Sequence, residues 1–177
     1  VDIIVGNTVI IDASDQVLDL RWPVPVSFRE LLYVGAPFNQ VGCFWRAEAE
    51  EKAGGFDPSF DFSMDYDFFI RMLETGSRIA ILDRFVAAYR IHQKAKSSRL
   101  KDLSLRERAF IRSRYPTLRT NKIKALRFRV RARVLVRRRW KQLLWVLRRG
   151  VRSWPAKRSL SLQRFIETEF KEPCRNV

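Results

Sequence analysis

The sequence predicts a mixed α/β domain followed by a basic, mainly helical extension. Runs rich in β-branched residues open the chain at 1–5 and 8–12, which is typical of strands. Farther on, capping residues and glycine turns bound segments with the apolar spacing of helices. Charge also divides the chain: residues 1–100 contain 11 Lys and Arg against 14 Asp and Glu (net −3), whereas residues 101–158 contain 21 against 2 (net +19). We therefore expect a domain over residues 1–98 and an amphipathic extension over residues 99–177.

The first third of the chain is expected to add two strands and one helix. A third strand is predicted at 17–20, after a polar turn, and a buried strand at 40–45. Between them, Ser27 followed by Glu30 has the spacing of a capping box, which predicts a helix over 28–33.

Two helices and two strands are predicted to complete the domain. A short helix over 47–53 is expected to end at Gly54-Gly55, since glycine adopts the positive φ that closes helices. Ser63 is the expected N-cap of the next helix. The predicted elements that follow are a helix at 64–74 and strands at 79–82 and 85–89.

The extension has helical spacing with one ambiguity. A helix over 103–115 is expected to stop before Pro116. Residues 122–149 carry apolar side chains at helical intervals, but 128–136 also alternates with period two, so a strand stays open there. A last short helix is expected at 159–171.

An unusual cluster of acids lies in the stretch 54–71. A solvated helix face would mix acids with lysines, yet five phenylalanines and no basic residue lie between Lys52 and Arg71, which favours a cleft. Helical geometry places the last two acids in one first turn but roughly 200° apart, so they cannot share a ligand. A metal clamp of the D-x-D type is therefore disfavoured, and a general base or a plain helix N-terminal acid remain. The four acids are Asp57, Asp61, Asp65 and Asp67.

Other motifs exclude several classes of protein. The chain has no phosphate-binding glycine loop, no nucleophile elbow and no H-x-x-x-H or C-x-x-C pair, which removes most hydrolases, kinases and dehydrogenases. Cys43 and Cys174 match no metal spacing and fit a reducing compartment. The sequence contains no run of 18 uncharged apolar residues, so it predicts no membrane span.

Four segments in order resemble the acceptor half of a family 2 glycosyltransferase. The resemblance covers about residues 1–98, and the ordered set is far more specific than any one segment. It implies a GT-A fold and an inverting sugar transfer from a nucleotide-sugar donor to a sugar or lipid-linked acceptor in cell-envelope synthesis. The segments are N-Q-V-G-C-F-W-R (39–46), G-G-F-D-P-S-F (54–60), M-D-Y-D-F-F-I-R-M (64–72) and Y-R-I-H-Q-K-A-K-S-S (89–98).

The resemblance implies roles for particular residues. Asp65 falls on the catalytic base, although Met64 replaces the acid that precedes it in the family. His92 falls on a position that contacts the metal, expected to be Mg or Mn, or the donor diphosphate, and Ser97 and Ser98 match neighbouring phosphate contacts with weaker support. The Q-x-x-R-W signature of processive members is absent, which implies one sugar per encounter.

Four residues are assigned to acceptor binding. Two roles remain open for Asn39 and Gln40, which either order a sugar hydroxyl or satisfy loop backbone. Asp67 and Arg71 match the family motif, but for Asp67 a structural role at the helix start is preferred.

The first half of the family pattern, with its nucleotide-binding strand and D-x-D, has no counterpart in these 177 residues. The expectation is a fragment, a truncated gene product or a chain whose donor half is supplied separately. An inactive remnant is the alternative.

The basic extension predicts a polyanionic surface as partner. Leucines and tryptophans beside arginines favour an anionic membrane contacted through residues 122–152, hence a cytoplasmic protein peripheral to the inner face of the cell membrane. A nucleic-acid-binding module is the competing hypothesis, because a cationic segment with tryptophans also suits phosphates and bases.

Overall fold

A four-stranded mixed sheet forms the centre of the molecule. The computed structural model describes residues 1–92, 100–149 and 160–170. The strands are β1 (Ile3–Ile11), β2 (Val17–Arg21), β3 (Cys43–Trp45) and β4 (Ile79–Arg90). Strand β1 pairs antiparallel with β3 and then with β2, and parallel with β4 along its whole length. The mixed α/β class predicted from the sequence is thereby confirmed.

Two predicted pairs of strands are instead single long strands. Gly6-Asn7 lies inside β1, where Gly6 is needed for close packing: a Cβ there would be 2.4 Å from Cγ2 of Val86. Asp83-Arg84 lies inside β4, because the register jumps from Gly6–Leu82 to Asn7–Phe85 and so absorbs both residues as a bulge. Polar residues that look like turns in the sequence are thus accommodated within the sheet.

The helices of the first part follow their sequence signals closely. They are α1 (Phe28–Val34), α2 (Ala47–Ala53) and α3 (Met64–Glu74). The capping box is present: Ser27 Oγ accepts from the Glu30 N–H, and the Glu30 carboxylate accepts from the Ser27 N–H at 2.9 Å. Gly54 closes α2 with φ 77°. The predicted strand at 40–45 is shorter, because a 3₁₀ turn (Gln40–Gly42) takes its first half.

Within residues 100–149 and 160–170, the extension forms three helices. They are α4 (Lys101–Ser113), α5 (Thr120–Arg149) and α6 (Leu162–Phe170). The alternating segment 128–136 is therefore helical, as the apolar stripe predicted. Helix α6 covers the β1–β2 hairpin, where Phe165 is buried against Val9 and Trp22.

The start of α3 is held by a residue from α4: Ser63 occupies the predicted N-cap position, but its side chain does not cap the helix. The Ser63 side chain makes no capping bond. Instead the Glu107 carboxylate accepts the N–H groups of Asp61 at 2.9 Å, Phe62 at 3.1 Å and Ser63 at 2.6 Å. Burial opposes ionisation of Glu107, but these hydrogen bonds prevail and lower its pKa.

Ion pairs join the basic helix α5 to the acidic first part. Glu30, which is 3% exposed, accepts from Arg133 at 2.7 Å. Asp19 pairs with Arg138 at 2.9 Å, and Asp83 pairs with Lys141. These contacts cross the predicted boundary at residue 98, and that boundary stays a prediction. Part of the positive charge of the extension is therefore neutralised by acidic side chains of the first part of the chain.

Candidate active site

An open cleft of about 550 Å³ lies where the end of α1 and the loop after it face the start of α3. Its walls mix aromatic and aliphatic side chains with a few polar groups. One residue of α4, Arg108, and one residue of β4, Tyr89, also reach it. The polar groups that line it are Asn39, Gln40, Asp61, Asp65, Tyr66, Tyr89 and Arg108.

Asp65 presents its carboxylate to this cleft from the first turn of α3. One oxygen, Oδ1, accepts the N–H of Tyr66 at 2.7 Å. Burial raises the pKa of Asp65, whereas backbone N–H groups and the charge of Arg108 act in the opposite direction. A carboxylate with a raised pKa beside a ligand-sized cleft has the property required of a general base.

Arg108 is a site residue that sequence reasoning missed. Its guanidinium lies 4.9 Å from the centroid of the Tyr66 ring, which orients it towards the start of α3. Its Nε is buried without a hydrogen-bond partner among the described atoms. No sequence signal distinguishes it, because it is one of 21 basic residues in 101–158 and lies 43 positions from Asp65. Only the packing of α4 on α3 brings the two charges together.

The structure brings Asn39 and Gln40 to the same cleft as Asp65. Asn39 Nδ2 is buried and has no partner within the part of the chain that the structure describes. The Asn39 backbone, by contrast, is engaged: its carbonyl accepts from the Gly42 N–H at 3.1 Å and the Cys43 thiol at 3.4 Å. The unpaired amide donor is thus available for a ligand hydroxyl.

Asp67 and Arg71 lie outside the lining of the cleft. Asp67 is 1% exposed and accepts from Arg71 Nε at 2.7 Å and from Arg114 at 3.2 Å. Arg71 also donates to the carbonyls of Ala53 and Gly55, which holds the glycine turn before α3. Both side chains are therefore occupied by structural contacts, in line with the structural role preferred for Asp67, whereas their assignment to acceptor binding finds no support in this geometry.

The expected metal and phosphate positions are not assembled by the described residues. His92 is exposed just past the end of β4 and does not line the cleft. Ser97 and Ser98 lie outside the described residues. Within residues 1–92, 100–149 and 160–170 no three His, Cys, Asp or Glu side chains are grouped so as to hold an ion. These residues alone do not fit a Mg or Mn site.

Cys43 lies close to the cleft but is not a nucleophile. The side chain is 9% exposed, and burial together with the charge of Asp65 raises the thiol pKa to about 12. A thiol with such a pKa stays protonated near neutral pH and behaves as a small apolar residue.

Fold and cleft together define a coarse class: a mixed α/β protein with a carboxylate-bearing cleft at the start of a helix. Comparisons with family models, curated proteins and solved structures gave no match. Any finer assignment therefore depends on the motifs and on the geometry of the cleft.

Proposed function

We propose that the chain forms the acceptor side of an inverting glycosyltransferase of family 2, with a GT-A-like arrangement and Asp65 as its general base. The observation that carries the proposal is the position of Asp65: a carboxylate with a raised pKa faces a cleft that also presents an unpaired amide donor from Asn39. The ordered resemblance of the segments between residues 39 and 98 supports the same assignment. The nucleotide-sugar donor is bound by groups outside the described residues.

The proposed reaction at this site is one proton transfer coupled to one displacement. An acceptor hydroxyl, oriented by Asn39 and Gln40, gives its proton to Asp65 as its oxygen attacks the anomeric carbon of the donor. The bond from that carbon to the nucleoside diphosphate breaks, and the diphosphate leaves with the electron pair. Asp65 must be ionised at the start, so the charge of Arg108 helps by opposing the effect of burial on its pKa.

Arg108 provides a test of this proposal that does not remove the base. In the transferase that contains this chain, kcat/KM for the acceptor should rise with pH as Asp65 ionises. Replacing Arg108 by Gln removes a positive charge that favours the carboxylate, so the acidic limb of the profile should shift to higher pH. The matched control is Arg106→Gln, an exposed arginine on the same helix that does not line the cleft. If the acidic limb of the Arg108 variant lay at the same pH as in wild type, the proposed interaction between the charges of Arg108 and Asp65 would be contradicted.

The attachment of the chain to an anionic membrane surface belongs to the same proposal. Among the described residues, no helix is long and apolar enough to cross a bilayer. Helix α5 instead combines 12 Lys and Arg, no acid and a row of exposed apolar side chains opposite its packed face. We call this row the outer stripe; it comprises Phe128, Leu135, Val136, Leu143 and Leu147, with Trp140 at its border.

The composition of the outer stripe favours lipid over the other partners. A second copy of a helix with 12 positive charges and no acid would be repelled. Nucleic acid would use the arginines but would not require exposed aliphatic side chains such as Leu147, which is 71% exposed. Insertion of apolar side chains between anionic headgroups satisfies both features at once.

Two substitutions in the outer stripe test this attachment. Phe128, 74% exposed, and Val136, 67% exposed, contribute apolar surface that only lipid would cover. We expect the double variant Phe128→Ser, Val136→Ser to bind vesicles of phosphatidylglycerol and phosphatidylcholine at least about tenfold more weakly than wild type, since each buried side chain contributes on the order of 1 kcal/mol or more. Co-sedimentation measures the effect.

The matched control for the stripe is Leu105→Ser, because Leu105 is 68% exposed but lies on α4. This variant should bind vesicles like wild type. The membrane proposal would be refuted if vesicle binding never exceeded background while oligonucleotide binding survived the double substitution. That result would favour the nucleic-acid hypothesis for the extension.

A further inference from the structure

A second cleft of about 250 Å³ adjoins the one that contains Asp65. The two clefts share a wall formed by Ala36, Phe38, Asn39 and Tyr89. The shared wall includes the unpaired amide of Asn39. The two clefts are therefore immediate neighbours.

Two arginines give the second cleft a positive charge. Arg21, from β2, and Arg138, from α5, both line it. They share a single carboxylate: Asp19 lies 3.2 Å from Arg21 and 2.9 Å from Arg138. No Asp or Glu is among the described residues that line the cleft. Two guanidinium groups against one carboxylate leave a net positive charge beside the cavity.

The rest of the second cleft is apolar. Leu20 and Trp22 are buried, Val134 is half-buried, and Ile91 is 45% exposed. Val134 and Arg138 both come from α5, whose opposite face carries the outer stripe. The cleft thus places two guanidinium groups, which can bind an anion, beside a surface that favours a hydrocarbon group.

We infer that the second cleft binds a phosphate group that is carried on an apolar substituent and belongs to the acceptor. Guanidinium groups bind phosphate oxygens through paired, charge-assisted hydrogen bonds, which explains two arginines held by one carboxylate. The acceptor hydroxyl then meets Asp65 while its phosphate meets Arg21 and Arg138. The inference depends on the proposed function only for the statement that this ligand is the acceptor.

Binding of simple amphiphiles to the 177-residue chain tests the site without any transfer reaction. Below its micellar concentration, decyl phosphate should bind at least tenfold more tightly than the neutral decyl glucoside and than inorganic phosphate, as measured by calorimetry. Arg21→Gln should weaken decyl phosphate binding about tenfold, because one charge-assisted contact is lost. Asp19→Asn should tighten it, because the competing carboxylate is removed.

The matched control is Arg139→Gln, an exposed arginine of α5 that does not line the cleft. Equal weakening in the Arg21 and Arg139 variants would show diffuse electrostatic attraction and overturn the inference. Equal affinity for decyl phosphate and inorganic phosphate, or for decyl phosphate and decyl glucoside, would also overturn it. Arg21 does not join α5 to the sheet, so its variant should keep the wild-type circular dichroism spectrum.

Two further measurements separate this inference from the proposed function. A nucleoside diphosphate that binds more tightly than decyl phosphate and loses that affinity in Arg21→Gln would assign the cleft to the leaving group and overturn the inference. Asp65→Asn should bind decyl phosphate like wild type. If it does so and also retains transfer, the proposed base is wrong while the phosphate site stands.

Discussion

Replacing Asp65 by Asn is expected to lower sugar transfer by a factor of about 10²–10⁴, the usual contribution of a general base. The amide keeps the size of the side chain and its contact with the Tyr66 N–H, but it cannot accept the proton of the acceptor hydroxyl. Acceptor binding should change little, because Asn39 and Gln40 are untouched. The measurement is kcat/KM for the proposed transfer, with acceptor affinity determined separately.

Stability distinguishes this loss of catalysis from unfolding. The pKa of Asp65 is raised in the folded state, so its contribution to stability is present below the unfolded pKa and lost as pH rises through the folded pKa. Near neutral pH the ionised side chain therefore disfavours folding, and Asp65→Asn should be at least as stable as wild type. Asp102→Asn, which changes another aspartate in a first helical turn, is the matched control for activity. Transfer at the wild-type rate in the Asp65 variant would refute the proposed base.

Replacing Asp67 by Asn is expected to lower the free energy of unfolding by about 3–5 kcal/mol, the usual effect of breaking a buried ion pair. The carboxylate is 1% exposed and compensates both Arg71 and Arg114, and Arg71 in turn holds the glycine turn that leads into α3. The neutral amide would leave Arg71 without its carboxylate partner and Arg114 with only the more distant Asp57. Urea denaturation followed by tryptophan fluorescence measures the change.

A neighbouring aspartate provides the control for Asp67. Asp57 lies 3.9 Å from the same Arg114 but is partly solvated, and its bond to the Ser59 N–H can be kept by an amide. Asp57→Asn should therefore change the unfolding free energy by less than about 1 kcal/mol. An Asp67 variant with wild-type stability and weakened acceptor affinity would instead restore the binding role that the motif suggests.

Much of the local structure follows from short-range signals in the sequence. The capping box of Ser27 and Glu30 and the glycine that ends α2 set helix boundaries correctly, because both depend on residues within one turn of each other. The spacing of Asp65 and Asp67 also predicts that they diverge, and in the structure one faces the cleft while the other is buried.

Other features are wrong or absent in the sequence prediction because they depend on distant partners. Gly6-Asn7 resembles a turn until Val86 is seen to pack over Gly6. Ser63 occupies the N-cap position but makes no capping bond, and Glu107, 44 positions away, accepts N–H groups of the segment that leads into α3. Local and distant acceptors cannot be distinguished in a linear sequence, since a backbone N–H can donate to an acceptor from either source.

The candidate site also combines features that follow from short-range sequence signals with features that depend on distant parts of the chain. Sequence patterns alone predict the α/β class and the helix that starts at Met64, and the family resemblance adds Asp65 as the proposed base among four aspartates. The groups around that carboxylate come together only on folding: they are Arg108 from α4 and the wall shared with the arginine-lined second cleft. The reason is that the ionisation of Asp65 depends on burial and on charges within a few ångströms, and those neighbours come from parts of the chain that meet only on folding.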